Sequence, residues 1–309
     1  MKSTSYNRKI KTFNLKLLEN RNMEDKVLKS AEVLFELAYA EDIGDGDITT
    51  NNLVPPGENK TAILVAKEEG VVAGLPVAEM VFRKFDENLI WNTKKPDGSK
   101  VFPGDILVEF TGNYRALLTG ERKALNFLQR LSGIATYANL CMQELKGLNV
   151  EILDTRKTLP GYRHLDKYAV RMGGASNHRF GLYDMVMIKD NHIQVAGGIK
   201  PAVEEIRKKI PKSIKIEVET SNLDEVQQAI DAGVDIIMLD NMSSALMIEA
   251  VALINKRAKI EASGNMTLKR IRKVASTGVD YISIGALTKN VIAVDLSMRI
   301  EMLTAPKVP

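Results

Sequence analysis

The sequence predicts an α/β protein whose larger part is a parallel-stranded barrel or open barrel, preceded by a smaller α/β layer. Three observations lead there. After residue 150 the chain shows aliphatic or β-branched runs beginning near 151, 184, 214, 235, 258 and 280, and the last four start 21, 23 and 22 residues apart. Segments with helical spacing, such as 222–233 and 267–278, fill the gaps, and each closes on a glycine suited to a helix C-cap, Gly233 or Gly278. The runs are continuous and apolar, as in a parallel sheet covered by helices, and their even spacing favours a barrel; a doubly wound open sheet is the alternative.

The elements before residue 150 are smaller. Residues 1–23 are basic and polar and predict a flexible extension. From residue 24, Val27, Leu28, Val33, Leu34 and Leu37 recur at helical spacing, and Gly44 stands where such a helix would stop. The runs 61–66, 70–75 and 105–112 have strand character and are bounded or broken by Pro55-Pro56-Gly57, Pro96-Asp97-Gly98 and Pro103-Gly104. Residues 116–146 are helical in period, with a break expected at Ser132-Gly133, and would link the two parts.

Composition narrows the function classes. At 309 residues and 45% hydrophobic content the chain can bury a large core as one barrel or as two domains. A net charge of +4, from 43 basic and 39 acidic residues, is too mild an excess to point to nucleic acid. Cys141 is the one cysteine, so no intrachain disulfide forms, and its setting in "LCMQEL" suits a buried helical thiol in a cytoplasmic protein. There is no signal-peptide core and no run of 18 uncharged apolar residues, so neither secretion nor membrane insertion is expected.

In a parallel barrel the chemistry collects at the carboxyl ends of strands. Here the runs hand on to Asp154-Thr155-Arg156-Lys157, Lys189-Asp190-Asn191-His192, Glu217-Val218-Glu219, Leu239-Asp240-Asn241, Ser263-Gly264-Asn265 and Ile284-Gly285-Ala286. Four of these ends are charged. The last two are small turns, where barrels often hold a phosphate on backbone N–H groups. All three histidines, His164, His178 and His192, lie in one stretch with Arg156, Lys157, Arg163, Arg171, Arg179 and Lys189. Such a cation cluster suits a substrate with several negative charges, while for any one residue a solvated or locally paired side chain is the plainer explanation. Spacing makes the histidines a poor zinc site. Glu219 and Asp240 are either simple strand-end acids or holders of Mg²⁺ or ribose hydroxyls. No GxxxxGK[ST] motif is present, which argues against a P-loop NTPase.

The stretch "DTRKTLPGYRHLDKYAVRMGGASNHRFGLYDMVMIKDNH", 154–192, resembles the core motif of the quinolinate phosphoribosyltransferase family. So do, in the same order, "AEDIGDGDITT" (40–50), "GERKALNFLQRLSGIAT" (120–136), "IEVE" (216–219), "IMLDNM" (237–242), "IEASGNM" (260–266) and "GVDYISIGALTKN" (278–290). The resemblance covers roughly residues 25–300 and departs from the common pattern at "GGAS", 173–176, and in the N-terminal extension. It implies an open α/β barrel of fewer than eight strands, residues 126–290, with an N-terminal α/β sandwich domain, 24–125, which a final helix within 291–309 rejoins. It also implies transfer of phosphoribosyl from phosphoribosyl pyrophosphate to quinolinate with decarboxylation, giving nicotinate mononucleotide, pyrophosphate and CO₂ in NAD biosynthesis. Mg²⁺ and a homodimer, or an assembly of dimers with shared active sites, are implied as well.

Carried over position by position, Thr155, Arg156, His178, Arg179 and Lys189, with Arg122 of the neighbouring subunit, would bind quinolinate. Lys157 would contact the phosphoribosyl donor, and Glu219 and Asp240 would face ribose hydroxyls and Mg²⁺. Ser263, Gly264, Asn265, Ile284, Gly285 and Ala286 would line the 5′-phosphate site. Rival functions are a class I aldolase-like enzyme using Lys189 as a Schiff-base amine, a binding protein without turnover, and a nicotinate-using or molybdenum-associated relative with the same barrel.

Overall fold

The computed structural model describes residues 25–300; the expected extension 1–23 and the last part of the expected C-terminal return, 301–309, lie outside the described residues. These residues divide into two compact units. The first comprises the chain up to Ala135 with 160–172 and the segment from Ile292; the second comprises 136–159 and 173–291.

The first unit carries strands β1 (Asn59–Ala66), β2 (Gly70–Val71), β3 (Ile90–Thr93), β4 (Lys100–Val101) and β5 (Ile106–Asn113). A four-stranded antiparallel sheet runs β3-β5-β1 and then takes Leu296–Ile300 from the C-terminal end as its edge strand, beside a small β2-β4 pair. Over the described residues the returning segment is a strand, Leu296–Ile300. Its Leu-Ser-Met-Arg-Ile alternation has the two-residue period of a strand with one buried face. Phe82, Trp91 and Phe110 pack with ring centroids 4.8–6.2 Å apart in the core of this unit.

The helix Tyr114–Glu144 is continuous, and the break expected at Ser132-Gly133 does not occur. Ser132 Oγ accepts the Ala73 N–H at 3.1 Å, and a Cβ on Gly133 would stand 2.1 Å from the Ile292 carbonyl oxygen. The small pair thus admits neighbouring backbone without interrupting the helical hydrogen bonds. The helix Arg163–Met172 falls in the first unit, although the sequence assigned it to the barrel. Leu165, Tyr168 and Ala169 are buried, Tyr168 Oη donates to Asp97 at 2.7 Å, and Arg130 pairs with fully buried Asp166 at 3.0 Å.

The second unit holds six parallel strands, β6 (Glu151–Leu153), β7 (Val186–Ile188), β8 (Ile216–Thr220), β9 (Ile236–Asp240), β10 (Lys259–Ser263) and β11 (Tyr281–Ser283), in the order β6-β11-β10-β9-β8-β7. β6 and β7 are the edges and do not pair with each other, so the barrel is open. Helices Leu223–Asp231, Ser244–Ile254 and Leu268–Ala275 follow β8, β9 and β10 in turn. The strands are less uniformly apolar than expected. In β8, Ile216 and Val218 alternate with Glu217 and Glu219; in β10, Ile260 and Ala262 alternate with Glu261 and Ser263. Register pairs Met238 with both Glu219 and Glu261, so one face of the sheet carries Glu217, Glu219, Met238, Asp240, Glu261 and Ser263. Among the described residues no helix is long and apolar enough to cross a membrane.

Because Gly133 lies against backbone that cannot rotate away, Gly133→Ala should lower stability by about 1–3 kcal/mol. Denaturant unfolding would measure it, and an unchanged midpoint would contradict the close approach.

Candidate active site

The polar face of the parallel sheet opens into a cavity of about 880 Å³ at the carboxyl ends of the strands. Thr155, Arg156, Lys157, His178, Arg179, Lys189, Glu219, Asp240, Ser263, Gly264, Asn265, Gly285 and Ala286 line it. Two candidates from the sequence do not. Arg122 is exposed on the first unit, and Ile284 is buried, its N–H donating to the Leu153 carbonyl at 2.9 Å. Of the three histidines only His178 reaches the cavity; His164 lies in the first unit, and His192 Nδ1 accepts the Lys189 N–H at 3.0 Å at the start of a helix.

Local hydrogen bonds place each side chain. The loop after β6 is held by Thr155 Oγ1, which accepts the Lys157 N–H at 3.1 Å, and by Thr288 Oγ1, which donates to the Lys157 carbonyl at 2.9 Å. Fully buried Asp154 accepts the His178 N–H at 2.9 Å and Asn177 Nδ2 at 2.7 Å, tying the 177–179 segment to the end of β6. Arg179 Nη1 donates to the Met185 carbonyl at 3.0 Å. Burial, and then the neighbouring charge of Arg156, hold the Arg179 pKa below its usual value. Lys189 Nζ and Glu219 Oε2 form an ion pair across the ends of β7 and β8.

The turn after β10 is close-packed. Gly264 has φ +92°, and a Cβ there would stand 2.2 Å from Asn241 Oδ1. Asn241 and Asn265 also adopt positive φ, and Arg270 donates to the Gly264 and Met242 carbonyls at 2.9 Å each. Asn tolerates this conformation better than most residues. The result is a compact, glycine-containing turn facing the cavity.

Sequence reasoning missed Glu217 as a partner of His178, and missed Glu261 altogether. Both are fully buried, and His178 Nε2 lies 3.0 Å from Glu217 Oε2 and 3.2 Å from Glu261 Oε2. The signal was the alternation in "IEVE" and "KIEAS", which turns these acids toward the strand-end cavity rather than the covering helices. Burial opposes charge on His178, but the two carboxylates outweigh it and lift the ring's pKa from 6.5 to about 10. Burial also lifts Glu217 from 4.5 to about 7, with hydrogen bonding to His178 opposing the rise and the charge of Glu261 adding to it. Both shifts describe a cluster that retains one proton more than a neutral ring and two carboxylates would. Nδ1 accepts the Arg179 N–H at 2.7 Å, so the ring's own hydrogen is on Nε2 and the additional proton is held by the carboxylates of Glu217 and Glu261. Cys141, by contrast, is buried outside the cavity, and its thiol is pushed up to about 12 by burial.

Family models of quinolinate phosphoribosyl transferase match the chain over 47–132 for the N-terminal domain and 134–299 for the C-terminal domain. The chain belongs to the quinolinate phosphoribosyltransferase family. It is 49% identical over 264 residues to the probable nicotinate-nucleotide pyrophosphorylase (carboxylating) of Synechocystis, which spans 84% of this chain and 89% of that protein. It is 42% identical over 287 residues to quinolinate phosphoribosyltransferase (decarboxylating) 1 of Nicotiana glauca, with 87% and 81% covered. The solved nicotinate-nucleotide pyrophosphorylase of Francisella tularensis superposes with a TM-score of 0.85 at 42% identity, over 90% of this chain and 97% of that one. As a member of this family the chain is a phosphoribosyltransferase of NAD biosynthesis. It transfers phosphoribosyl from phosphoribosyl pyrophosphate to quinolinate, yielding nicotinate mononucleotide, pyrophosphate and CO₂.

The buried cluster sets a pH dependence. Both pKa values are raised on folding, so their stabilising contribution is complete below the unfolded values and is lost as pH climbs through the folded ones. The windows are 4.5 to 7 for Glu217 and 6.5 to 10 for His178. Between pH 6.5 and 10 the wild type should lose more unfolding free energy than a Glu217→Gln, Glu261→Gln double variant. Urea titrations at stepped pH would read this, and parallel curves would show that the cluster holds no extra proton.

Proposed function

We propose that the cavity of the second unit is where this reaction occurs, with quinolinate against Arg156, Arg179 and Lys189 and the phosphoribosyl donor across the ends of β8 to β11. The observation that carries this is the convergence of those cations, Lys157, Glu219, Asp240 and two glycine-containing turns in one cavity. Guanidinium forks match carboxylates in geometry as well as charge. Arg156 and Arg179 crowd each other in a half-buried wall, a repulsion that a dianion relieves. His178 stands in the same wall and Thr155 beside it. Ser263, Gly264, Asn265, Gly285 and Ala286 would take the 5′-phosphate.

The chemistry follows from charge. As the bond to pyrophosphate breaks, positive character grows at the ribose anomeric carbon. Lys157, exposed at the rim, is placed for the departing diphosphate, while Glu219 and Asp240 face the ribose and offset that positive character. Aligning the two reactants supplies several kcal/mol of the barrier, and the pyridine nitrogen then attacks. The N-alkylated ring accepts the electron pair released as the 2-carboxylate leaves as CO₂, and a proton replaces it. Glu219 and Asp240 offer oxygen donors on neighbouring strand ends, and among the described residues no third protein ligand groups with them. That donor set suits Mg²⁺, which keeps waters and substrate oxygens in its shell. Held there with pyrophosphate, Mg²⁺ would supply further charge to the leaving group.

A Schiff-base role for Lys189 fits less well, because an ammonium paired with Glu219 lacks the free lone pair such chemistry needs. A second copy of the chain is the source we propose for Arg122, which is exposed and absent from the cavity lining. A cytoplasmic setting suits a chain whose one cysteine is an unbridged thiol.

Incubation with quinolinate, phosphoribosyl pyrophosphate and Mg²⁺ should yield nicotinate mononucleotide and CO₂, and nicotinate in its place should yield none; product from nicotinate alone would overturn the assignment. Arg179→Ala should raise KM for quinolinate by at least about tenfold, the cost of a charge-assisted hydrogen bond, with little change for the phosphoribosyl donor. Equal losses for both substrates would remove Arg179 from the quinolinate wall. Mixing Arg122→Ala and Arg179→Ala chains under exchange, assayed at quinolinate far below their raised KM where each alone is nearly inactive, should restore roughly a quarter of wild-type activity, from random pairing in a shared-site dimer. No recovery would place Arg122 outside the partner's pocket.

A further inference from the structure

His178 lines the cavity, yet both of its ring nitrogens are engaged elsewhere. Nδ1 accepts the Arg179 backbone N–H at 2.7 Å, and Nε2 faces the carboxylates of Glu217 and Glu261 at 3.0 and 3.2 Å. With Nδ1 an acceptor, the ring's one hydrogen is on Nε2, the edge that faces the two buried acids. Both acids are fully buried, and none of their oxygens has an in-line hydrogen bond among the described residues. Burying two carboxylates is costly unless something faces them, and the same face of neighbouring strands carries Met187 and Met238, so packing alone does not require charge here. A metal does not explain the cluster either. Nε2 bound to a cation would leave the ring hydrogen on Nδ1, pointing at the Arg179 N–H that now donates to it.

Resting on the assignment of this cavity to quinolinate, we propose that Glu217 and Glu261 are positioning residues for quinolinate binding, acting through His178 on Arg179. The two acids hold the Nε2 edge of the ring. The Nδ1 edge in turn holds the backbone N–H of Arg179, whose side chain is steadied by the Met185 carbonyl. Asp154 fixes the same segment from the other side through the His178 N–H. His178 is then a bridge between buried anions and the guanidinium that meets substrate, rather than a ligand of the substrate.

The test is a double-mutant cycle on the full chain with KM and kcat for both substrates. Glu261→Gln should raise quinolinate KM by about tenfold when His178 is present and by less than about twofold in a His178→Ala background, because the acid acts through the ring. KM for phosphoribosyl pyrophosphate should stay within about twofold throughout. Equal fold-changes in both backgrounds, or a parallel rise in the donor's KM, would overturn the proposal. Glu217→Gln serves in the same cycle if Glu261→Gln does not fold. On the wild type, ¹⁵N spectra of labelled histidine, assigned with His178→Ala, should show Nδ1 unprotonated and Nε2 protonated, both unmoved by added quinolinate. A protonated Nδ1, or a shift at either nitrogen on quinolinate addition, would return His178 to a direct contact. Absence of any turnover of quinolinate by the wild type would instead fail the assignment of the reaction, and so is distinguishable from failure of this proposal.

Discussion

The interior face of the parallel sheet is polar, and the site depends on that. Strand residues alternate, so Ile216, Val218, Ile260 and Ala262 are turned to the helices while Glu217, Glu219, Glu261 and Ser263 are turned inward. Side chains in the filled interior of a closed barrel are usually branched and apolar. An open barrel of six strands leaves space there, and the acids in it draw the cations of the β6 and β7 loops inward. Had the same residues been shifted by one position, the acids would face the covering helices and no cavity of this charge would form.

Opposite charges are layered by depth. Glu217 and Glu261 lie at the bottom against His178; Arg156 and Arg179 stand in the wall; the Lys189–Glu219 pair and Asp240 occupy the strand ends; Lys157 is at the rim. Each layer offsets the one beside it, which keeps a highly charged cavity tolerable before substrate arrives. The substrates of the family reaction carry two carboxylates, a phosphate and a diphosphate, so binding them at the proposed site would exchange internal pairings for new ones.

Glycine and asparagine do a separate job at the turns after β10 and β11. At Gly264 there is no room for a Cβ beside Asn241, and at Gly285 a Cβ would stand 3.0 Å from Lys157 Cδ. Backbone therefore reaches the cavity where side chains would close it. These turns are local features of the chain, but their approach to residues 23 positions away for Gly264–Asn241, and far more for Gly285–Lys157, is a property of the folded sheet.

Much was legible beforehand. All six parallel strands appear where aliphatic runs begin, because burial between helices demands those residues over short continuous stretches. Most of the cavity was legible too, since the ends of such strands are where side chains meet, and Arg156, Lys157, Arg179, Lys189, Glu219 and Asp240 all line it. The continuity of the helix through Gly133, the strand at 296–300 and the place of the helix Arg163–Met172 were not, for each is decided by partners distant in the chain. The same holds for Glu217, His178 and Glu261. The sequence by itself determined that charged groups would gather at the carboxyl ends of parallel strands. Only the tertiary structure decided which of them sit beneath the others, because depth in a cavity depends on register between strands and not on order along one.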